Sequence, residues 1–181
     1  MNYINPQEIL EHADVLHTAE VVNAAIDALA LQITASLSEA IPLVMCVMGG
    51  AVVFSGQLLP KLNFPLEFDY VQASRYHNKT EGQQLVWKVE PRENVAGRTV
   101  LLLDDILDEG HTLAAIKEKC LAQGAKEVVI AVLVEKQLGH AKPISADFVG
   151  LAVVNHYVFG CGMDIYGWWR NLPAIYALKS N

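Results

Sequence analysis

The sequence predicts an α/β fold with a central, mostly parallel sheet flanked by helices. Residues 100–103 and 128–134 are continuous apolar runs, which are typical of strands covered on both faces. A helical pattern over residues 113–123 separates them and ends at Gly124, a residue type that commonly follows a helix. Because a strand, a helix and a strand follow one another, we expect a right-handed parallel crossover.

The other elements repeat this alternation along the chain. The first 40 residues show helical spacing of apolar positions, with Thr18 as the N-cap of a packing helix. Residues 43–48 predict a strand that is closed by Gly49–Gly50 and followed by a helix over 51–59. The glycine pair either lets backbone N–H groups approach an anion or simply makes a tight turn. Further strands are expected at 66–73, 85–89 and 148–154.

Composition limits the classes of protein that fit. The chain has 181 residues, of which 52% are hydrophobic, so we expect one domain with a substantial core. Its net charge of -7 argues against a nucleic-acid partner. The longest uncharged stretch, which contains residues 41–59, is interrupted by proline and glycine and does not predict a membrane span. Without a basic signal segment or a disulfide pattern among Cys46, Cys120 and Cys161, we expect a cytoplasmic protein.

Three carboxylates follow the strand predicted at residues 100–103. Asp104 and Asp105 come directly after it, and Asp108 comes three residues later. Ligands of parallel sheets bind beyond the carboxyl ends of the strands. Two adjacent carboxylates suit either a hydrated Mg²⁺ or a pair of sugar hydroxyls. Since neighbouring strand residues point to opposite faces, Asp104 and Asp105 need not do the same job.

A helix is expected to begin just after these aspartates, near Gly110 and Thr112. Free N–H groups and the positive end of the helix dipole make such a terminus an anion site. An acidic loop beside an anion site predicts a ligand with both hydroxyls and phosphate, and a phosphorylated sugar is the simplest one. The alternative is a solvated acidic turn in which Asp108 caps the helix.

Competing nucleotide-binding motifs are missing from the sequence. There is no G-x-x-x-x-G-K-[ST], and no G-x-G-x-x-G opens a helix after a first strand. The sequence therefore predicts neither a P-loop nor a dinucleotide-binding fold. A receiver or haloacid-type phosphoacceptor would leave the phosphate-binding turn unexplained. The polar residues 74–84 form either a lid or an exposed hairpin tip.

Residues 100–113, VLLLDDILDEGHTL, resemble the phosphoribosyl pyrophosphate motif of type I phosphoribosyltransferases, and the remainder is similar to bacterial hypoxanthine-guanine phosphoribosyltransferases. Three further blocks occur in the order of that family: VMGGAVVFSGQL, SRYHNKTEG and VNHYVFGCGMDIYGWWRNLPAIYAL. The resemblance implies the type I phosphoribosyltransferase fold as a single domain over residues 1–181, with a hood from about 1–15 and 155–181. It also implies a purine salvage enzyme that makes IMP or GMP from phosphoribosyl pyrophosphate, with Mg²⁺ as cofactor.

The resemblance assigns the acidic segment to the ribose phosphate. Asp104 and Asp105 would hold the ribose hydroxyls, and Asp108 would be the catalytic residue that accepts or orients the proton at N7 of the purine. The loop around the 5-phosphate would consist of Asp108, Glu109, Gly110, His111 and Thr112. Glu109 and His111 stand where many relatives have threonine and lysine, so the Glu109 carboxylate is expected to point outward.

The purine, the pyrophosphate and the metal would be bound by residues elsewhere in the chain. The purine would contact Lys136, Tyr157, Val158 and Asp164. The pyrophosphate would contact Met48, Gly49, Gly50 and Arg170. Mg²⁺ would be held by Asp164, Asp104 and Asp105, and the lid would include Ser74, Arg75 and Tyr76. Met48 stands where some relatives have lysine or asparagine, which leaves only backbone groups for the pyrophosphate there.

Two alternatives remain open at this point. One is a regulator that keeps the phosphoribosyltransferase fold and binds nucleic acid, although the net charge of -7 weighs against it. The other is a transferase for another base, such as adenine or xanthine. Lys136 favours a 6-oxo over a 6-amino purine without distinguishing hypoxanthine, guanine and xanthine. Small-molecule substrates are the expected partners, with neither nucleic acid nor membrane, and the habit of the family is a homodimer or homotetramer.

Overall fold

The computed structural model describes residues 5–75, 85–91 and 94–179, and the following elements lie in those ranges. The helices are α1 (Pro6–Glu11), α2 (Ala19–Leu37), α3 (Ala51–Leu58) and α4 (His111–Ala122), and a 3-10 turn (Leu59–Lys61) follows α3. The strands are β1 (Ala13–His17), β2 (Leu43–Met48), β3 (Glu67–Arg75), β4 (Leu85–Val89), β5 (Thr99–Leu107), β6 (Glu127–Gln137), β7 (Phe148–Val154), β8 (Val158–Phe159) and β9 (Ile175–Leu178).

The central sheet has six strands in the order β4-β3-β2-β5-β6-β7. Strands β3, β2, β5, β6 and β7 run parallel, and only the edge strand β4 is antiparallel to its neighbour. This arrangement confirms the predicted α/β class. It also places the carboxyl ends of β2, β5 and β6 along one edge, where a ligand of a parallel sheet is expected.

Strand β5 lies at the centre of two hydrophobic cores. Leu101 and Leu103 pack on the face covered by α2 and α3, whereas Val100 and Leu102 pack on the face covered by α4. All four side chains are fully buried. Burial of such side chains stabilises the fold by about 1.5–3 kcal/mol each, so β5 is a rigid base for whatever follows it.

Helix α2 begins where the sequence predicts, because Thr18 Oγ1 accepts a hydrogen bond from the backbone N–H of Val21 at 3.5 Å. By length and composition alone α2 could cross a membrane. Its apolar stripe is buried in the core beside the sheet, however, so the structure uses it as a packing helix. The buried residues are Val22, Ile26, Leu29, Ala30, Ile33 and Leu37.

A smaller antiparallel sheet, in the order β1-β9-β8, forms the hood above the edge of the central sheet. The rings of Phe159 and Tyr176 stack in its core with centroids 5.5 Å apart. The indole Nε1 of Trp169 donates to the carbonyl of Pro6 at 2.9 Å and ties α1 to the C-terminal segment. The hood is therefore built from both ends of the chain, as the resemblance implied.

Three sequence-based boundaries are corrected by the structure. Residues 13–17 form strand β1 instead of helix, because their partner β9 lies at the other end of the chain and local spacing does not report it. Strand β5 continues through Asp104 and Asp105 to Leu107, and β6 continues to Gln137, because the two strands pair along this whole length. The aspartates therefore lie on a strand and not in a loop.

Candidate active site

Two adjoining cavities lie at the end of β5, one beside the start of α4 and the other against β6 and the hood. The first, of about 250 Å³, is lined by Asp104, Asp105, Asp108 and the loop residues Glu109, Gly110, His111 and Thr112. The second, of about 210 Å³, is lined by Asp105, Asp108, Lys136, Tyr157, Val158, Asp164 and Arg170. The cavities share Asp105, Ile106 and Asp108, so these residues form the wall between them.

The loop at the start of α4 carries donors for an anion. Gly110 occupies the N-cap position with a φ of 80°, and within the described residues α4 has no side-chain cap. The Asp108 carboxylate does not cap the helix, since it pairs with Lys136 instead. The predicted alternative, capping of the helix by Asp108, is therefore wrong, and the N–H groups of the first turn remain available to a ligand.

Lys136 and Asp108 form an ion pair at the wall between the cavities. The Lys136 Nζ lies 2.8 Å from Asp108 Oδ2, and the lysine side chain is only 11% exposed. A buried ammonium needs a partner, and this one also faces the second cavity. The pair places a cationic donor next to an anionic acceptor, an arrangement that suits two neighbouring polar atoms of one ligand.

Asp104 and Asp105 interact with each other at the end of the buried strand. The backbone N–H of Asp105 donates to Asp104 Oδ1 at 3.0 Å, and Asp105 is only 7% exposed. Burial, together with the neighbouring Asp105 charge, raises the pKa of Asp104 well above its usual value, and burial also raises the pKa of Asp105. Hydroxyl donors or a cation would stabilise this pair, because either would offset the like charges.

The hood contributes a second ion pair. Arg170 Nη2 pairs with Asp164 Oδ1, while Arg170 Nη1 donates to the carbonyl of Gly162 at 2.6 Å. The other Asp164 oxygen accepts from the N–H of Gly167 at 2.8 Å. The guanidinium is thus held in one orientation at the cavity wall, with Asp164 as its support.

Tyr157 lies on the same wall, and the residue is 57% exposed. Its hydroxyl donates to the carbonyl of Asp164 at 3.2 Å. Burial of the hydroxyl and the nearby Asp164 charge raise the pKa of Tyr157, which keeps the phenol neutral and able to donate. An exposed ring with a fixed hydroxyl is suited to stacking on a flat ligand.

The glycine turn after β2 packs behind the aspartates. A Cβ built on Gly50 would lie 1.9 Å from Asp105 Oδ2, and one built on Gly162 would lie 2.0 Å from the Gly50 carbonyl oxygen. The Met48–Gly49 peptide is cis. The Met48 sulfur lies 3.8 Å from Cys46 Sγ, so the side chain packs along β2. Met48, Gly49 and Gly50 are not among the described residues that line either of the two cavities.

The predicted metal ligands do not form a ready-made centre. Among the described residues there is no group of three or more His, Cys, Asp or Glu side chains arranged to hold a metal. Mg²⁺ is usually bound by one or two carboxylates together with water and substrate phosphates. The pair of half-buried Asp104 and buried Asp105 fits that requirement if a phosphate-bearing ligand completes the site, and the oxygens of Asp164 are already engaged.

The lid prediction falls largely outside the described residues. Ser74 and Arg75 lie at the end of β3. Tyr76 and the rest of 76–84 are not among the residues described. Sequence reasoning also missed Ile106, which lies between the two cavities. Residues two apart on a strand point to the same face, so a strand predicted to continue past residue 103 would have placed Ile106 beside Asp104 and Asp108.

Comparison with known proteins identifies the family. The family model for the phosphoribosyl transferase domain matches residues 12–166. The chain is 32% identical over 168 residues to the hypoxanthine-guanine-xanthine phosphoribosyltransferase of Tritrichomonas foetus, covering 92% of each protein. It is 33% identical over 166 residues to the hypoxanthine-guanine phosphoribosyltransferase of Bacillus subtilis, covering 91% of this chain and 92% of the relative.

Solved structures agree with these sequence relatives. A hypoxanthine phosphoribosyltransferase of Staphylococcus aureus superposes with a TM-score of 0.89 at 26% identity, covering 98% of this chain and 100% of the other. A hypoxanthine-guanine-xanthine phosphoribosyltransferase superposes with a TM-score of 0.84 at 31% identity, covering 92% and 97%. The fold with its hood and the match over most of the chain establish that this protein belongs to the type I phosphoribosyltransferase family.

Proposed function

We propose that this protein is a purine salvage enzyme that transfers the phosphoribosyl group of phosphoribosyl pyrophosphate to hypoxanthine or guanine and releases pyrophosphate. The observation that carries the proposal is the ion pair of Lys136 and Asp108, whose Nζ and Oδ2 are 2.8 Å apart at the wall between the two cavities. In this proposal the cavity at the α4 terminus takes the ribose 5-phosphate and the cavity under the hood takes the base.

The ion pair matches one edge of a 6-oxopurine. Guanine presents O6 and N7 side by side on that edge, whereas adenine presents an N6 amino group beside N7. A lysine ammonium has three donors and no acceptor, so Lys136 suits O6 and not an amino group. Asp108 would then face N7 and take its proton, and the exposed ring of Tyr157 would stack on the base.

The charges around the wall favour breakage of the bond to pyrophosphate. Positive charge develops on the ribose as pyrophosphate leaves, and the carboxylates of Asp105 and Asp108 face both cavities. Arg170 would clamp the departing pyrophosphate with the planar fork that suits oxyanions. Bound Mg²⁺ would supply further neutralisation of the pyrophosphate charge, with Asp104 and Asp105 as the residues that would hold it. The ring nitrogen of the held base then forms the new bond.

A product assay tests this proposal directly. Hypoxanthine, guanine, xanthine and adenine are each incubated with phosphoribosyl pyrophosphate and Mg²⁺, and the nucleotides are separated by chromatography. We expect nucleotide from hypoxanthine and guanine and little or none from adenine, with activity lost in excess EDTA and restored by Mg²⁺. A transferase for xanthine would be revealed in the same assay. Absence of nucleotide from every base, or a preference for adenine, would refute the proposal.

We further propose a cytoplasmic homodimer or homotetramer. The buried thiols of Cys46, Cys120 and Cys161 agree with a reducing compartment. Large apolar side chains on α2 and α3, such as Leu31 and Val52, are exposed in the single chain and are candidates for a subunit contact. Sedimentation equilibrium would measure the assembly, and a monomer at all concentrations would contradict this part of the proposal.

A further inference from the structure

The segment between β6 and β7 lies directly behind the phosphate loop, which we define as residues 108–112. His140 Nε2 lies 3.2 Å from Glu109 Oε2, so the Glu109 carboxylate points to this segment. A Cβ built on Gly110 would lie 3.0 Å from Cγ2 of Ile144 and 3.6 Å from Cδ of Pro143. Two consecutive residues of the phosphate loop therefore rest on the segment 138–144.

Lys142 connects this segment to the strand that carries the loop. Its side chain is 9% exposed, and its Nζ donates to the carbonyl oxygen of Leu107 at 2.9 Å and to Glu135 Oε1 at 3.3 Å. Leu107 is the last residue of β5 and comes directly before Asp108. One buried cation thus holds the end of β5, a residue of β6 and the segment 138–144 together.

The phosphate loop needs such support because little within it fixes its shape. Gly110 has a positive φ, and in the described chain no side chain caps α4. Backbone N–H groups that bind an anion must be held in the binding orientation before the ligand arrives, or affinity is lost in ordering them. A contact from outside the loop can supply that order.

We propose that Lys142, paired with Glu135, is a positioning residue that fixes the phosphate loop through the carbonyl of Leu107. This inference rests on the proposed function, in which that loop binds the 5-phosphate. Lys142 does not line either of the two cavities of the site, so it acts through the backbone and not on the substrate. Its loss should weaken binding of phosphoribosyl pyrophosphate and leave the base side, built by Lys136 and Tyr157, largely unchanged.

The kinetic test compares Lys142→Met, Lys142→Arg and a matched control, Lys117→Met. Lys117 lies on α4 and, like Lys142, lines a groove between α4 and residues 142–147 that contains no residue of the phosphate loop. We expect Lys142→Met to raise KM for phosphoribosyl pyrophosphate about ten- to a hundredfold, as for loss of a charged hydrogen bond. The KM for the base should change less than about twofold, and Lys142→Arg should restore most of the loss, because it keeps a cationic donor.

A double variant distinguishes loss of the positioning contact from misfolding caused by an unpaired buried charge. Lys142→Met leaves Glu135 without its cation, whereas Lys142→Met with Glu135→Gln removes both charges together. We expect the double variant to fold and to keep the raised KM for phosphoribosyl pyrophosphate. A parental KM in either folded variant, or an equal rise for base and phosphoribosyl pyrophosphate, would overturn the proposal.

Hydrogen exchange supplies a readout that does not depend on activity. Peptides covering residues 107–113 should exchange faster in Lys142→Met than in the parent or in Lys117→Met, while peptides from β2 should not change. If the parent protein made no nucleotide but this exchange difference were found, the proposed function would fail and the positioning role would stand. If the parent were active and exchange were unchanged, the positioning role would fail alone.

Discussion

The two cavities of the site are built in different ways. The cavity proposed for the ribose phosphate comes from one contiguous stretch, residues 104–113, in which strand β5 passes through a short loop into helix α4. The cavity proposed for the base is assembled from β5, β6 and the hood, with Lys136 and Arg170 far from Asp105 in the chain. The first therefore depends on local backbone geometry and the second on packing between distant elements. Substitutions in one cavity should therefore change KM for one substrate more than for the other, whereas substitutions of Asp108 in the shared wall should affect both substrates.

The largest effect is expected for Asp108→Asn. Asparagine still accepts a hydrogen bond from Lys136 but is a very weak base, and a positioned general base typically contributes about 10²- to 10⁴-fold to the rate. We expect kcat to fall by about that factor, and the melting temperature to fall as well, because the buried Lys136 ammonium keeps an acceptor but loses its counter-charge. Steady-state kinetics measure it, with Asp27→Asn as the matched control, since Asp27 is an exposed partner of Lys61 remote from the site. Parental turnover in Asp108→Asn would remove this residue from the mechanism.

A smaller and one-sided effect is expected for Lys136→Met. Loss of a charged hydrogen bond to O6 should raise KM for hypoxanthine or guanine about ten- to a hundredfold, with a much smaller change in KM for phosphoribosyl pyrophosphate. The ratio of kcat/KM for guanine to that for adenine measures the selectivity and should fall. Equal losses for both substrates would show that the two sides are not separable at this residue.

The contrast between the cavities also decides what could be predicted from sequence. Strands β2 and β7 have the predicted bounds, because both are continuous apolar runs with clear ends. Asp104 to Thr112 were found from one motif, since the cavity that they line is local in the chain. Strand β1 was missed because its pairing with β9 joins opposite ends of the chain.

Lys142 shows the limit of the same reasoning. In the sequence it is one lysine in a mixed segment between two strands, and lysines in such places are usually solvated. Its burial follows from β5 and β6 extending beyond their apolar runs, which brings Leu107 opposite Glu135. The polar residues at 104 and 105 suggested a loop there, so neither the full length of β5 nor the burial of Lys142 could be predicted from the local sequence pattern.

Asp104→Asn should separate stability from function on the ribose-phosphate side. Burial raises the folded-state pKa of Asp104 well above its usual value, so folding favours the protonated carboxyl. The stability that comes from this preference is fully present below about pH 3.9 and is lost as the pH rises through the folded-state pKa. Asparagine lacks this titration and relieves repulsion with Asp105. We expect the variant to melt above the parent at neutral pH, at about 2–4 °C for each kcal/mol gained, with the difference vanishing near pH 4.

The same variant should bind phosphoribosyl pyrophosphate less well, because a charged acceptor for the ribose hydroxyls is lost. Melting curves from pH 4 to 8 and the KM for phosphoribosyl pyrophosphate measure the two effects. Asp27→Asn should show neither, since Asp27 is exposed. A variant that melts below the parent at neutral pH would contradict the predicted cost of the buried charge.

The smallest effect is expected where the base cavity depends on the hood. Trp169→Phe keeps a smaller aromatic ring and removes the hydrogen bond from Nε1 to the carbonyl of Pro6. A net loss of about 0.5–1.5 kcal/mol in the free energy of unfolding is expected from such a bond. Because Trp169 adjoins Arg170, which is proposed to clamp the pyrophosphate, any kinetic change should appear in KM for phosphoribosyl pyrophosphate before KM for the base. Urea unfolding and the two KM values measure this, and a change confined to KM for the base would show that this part of the hood does not act through Arg170.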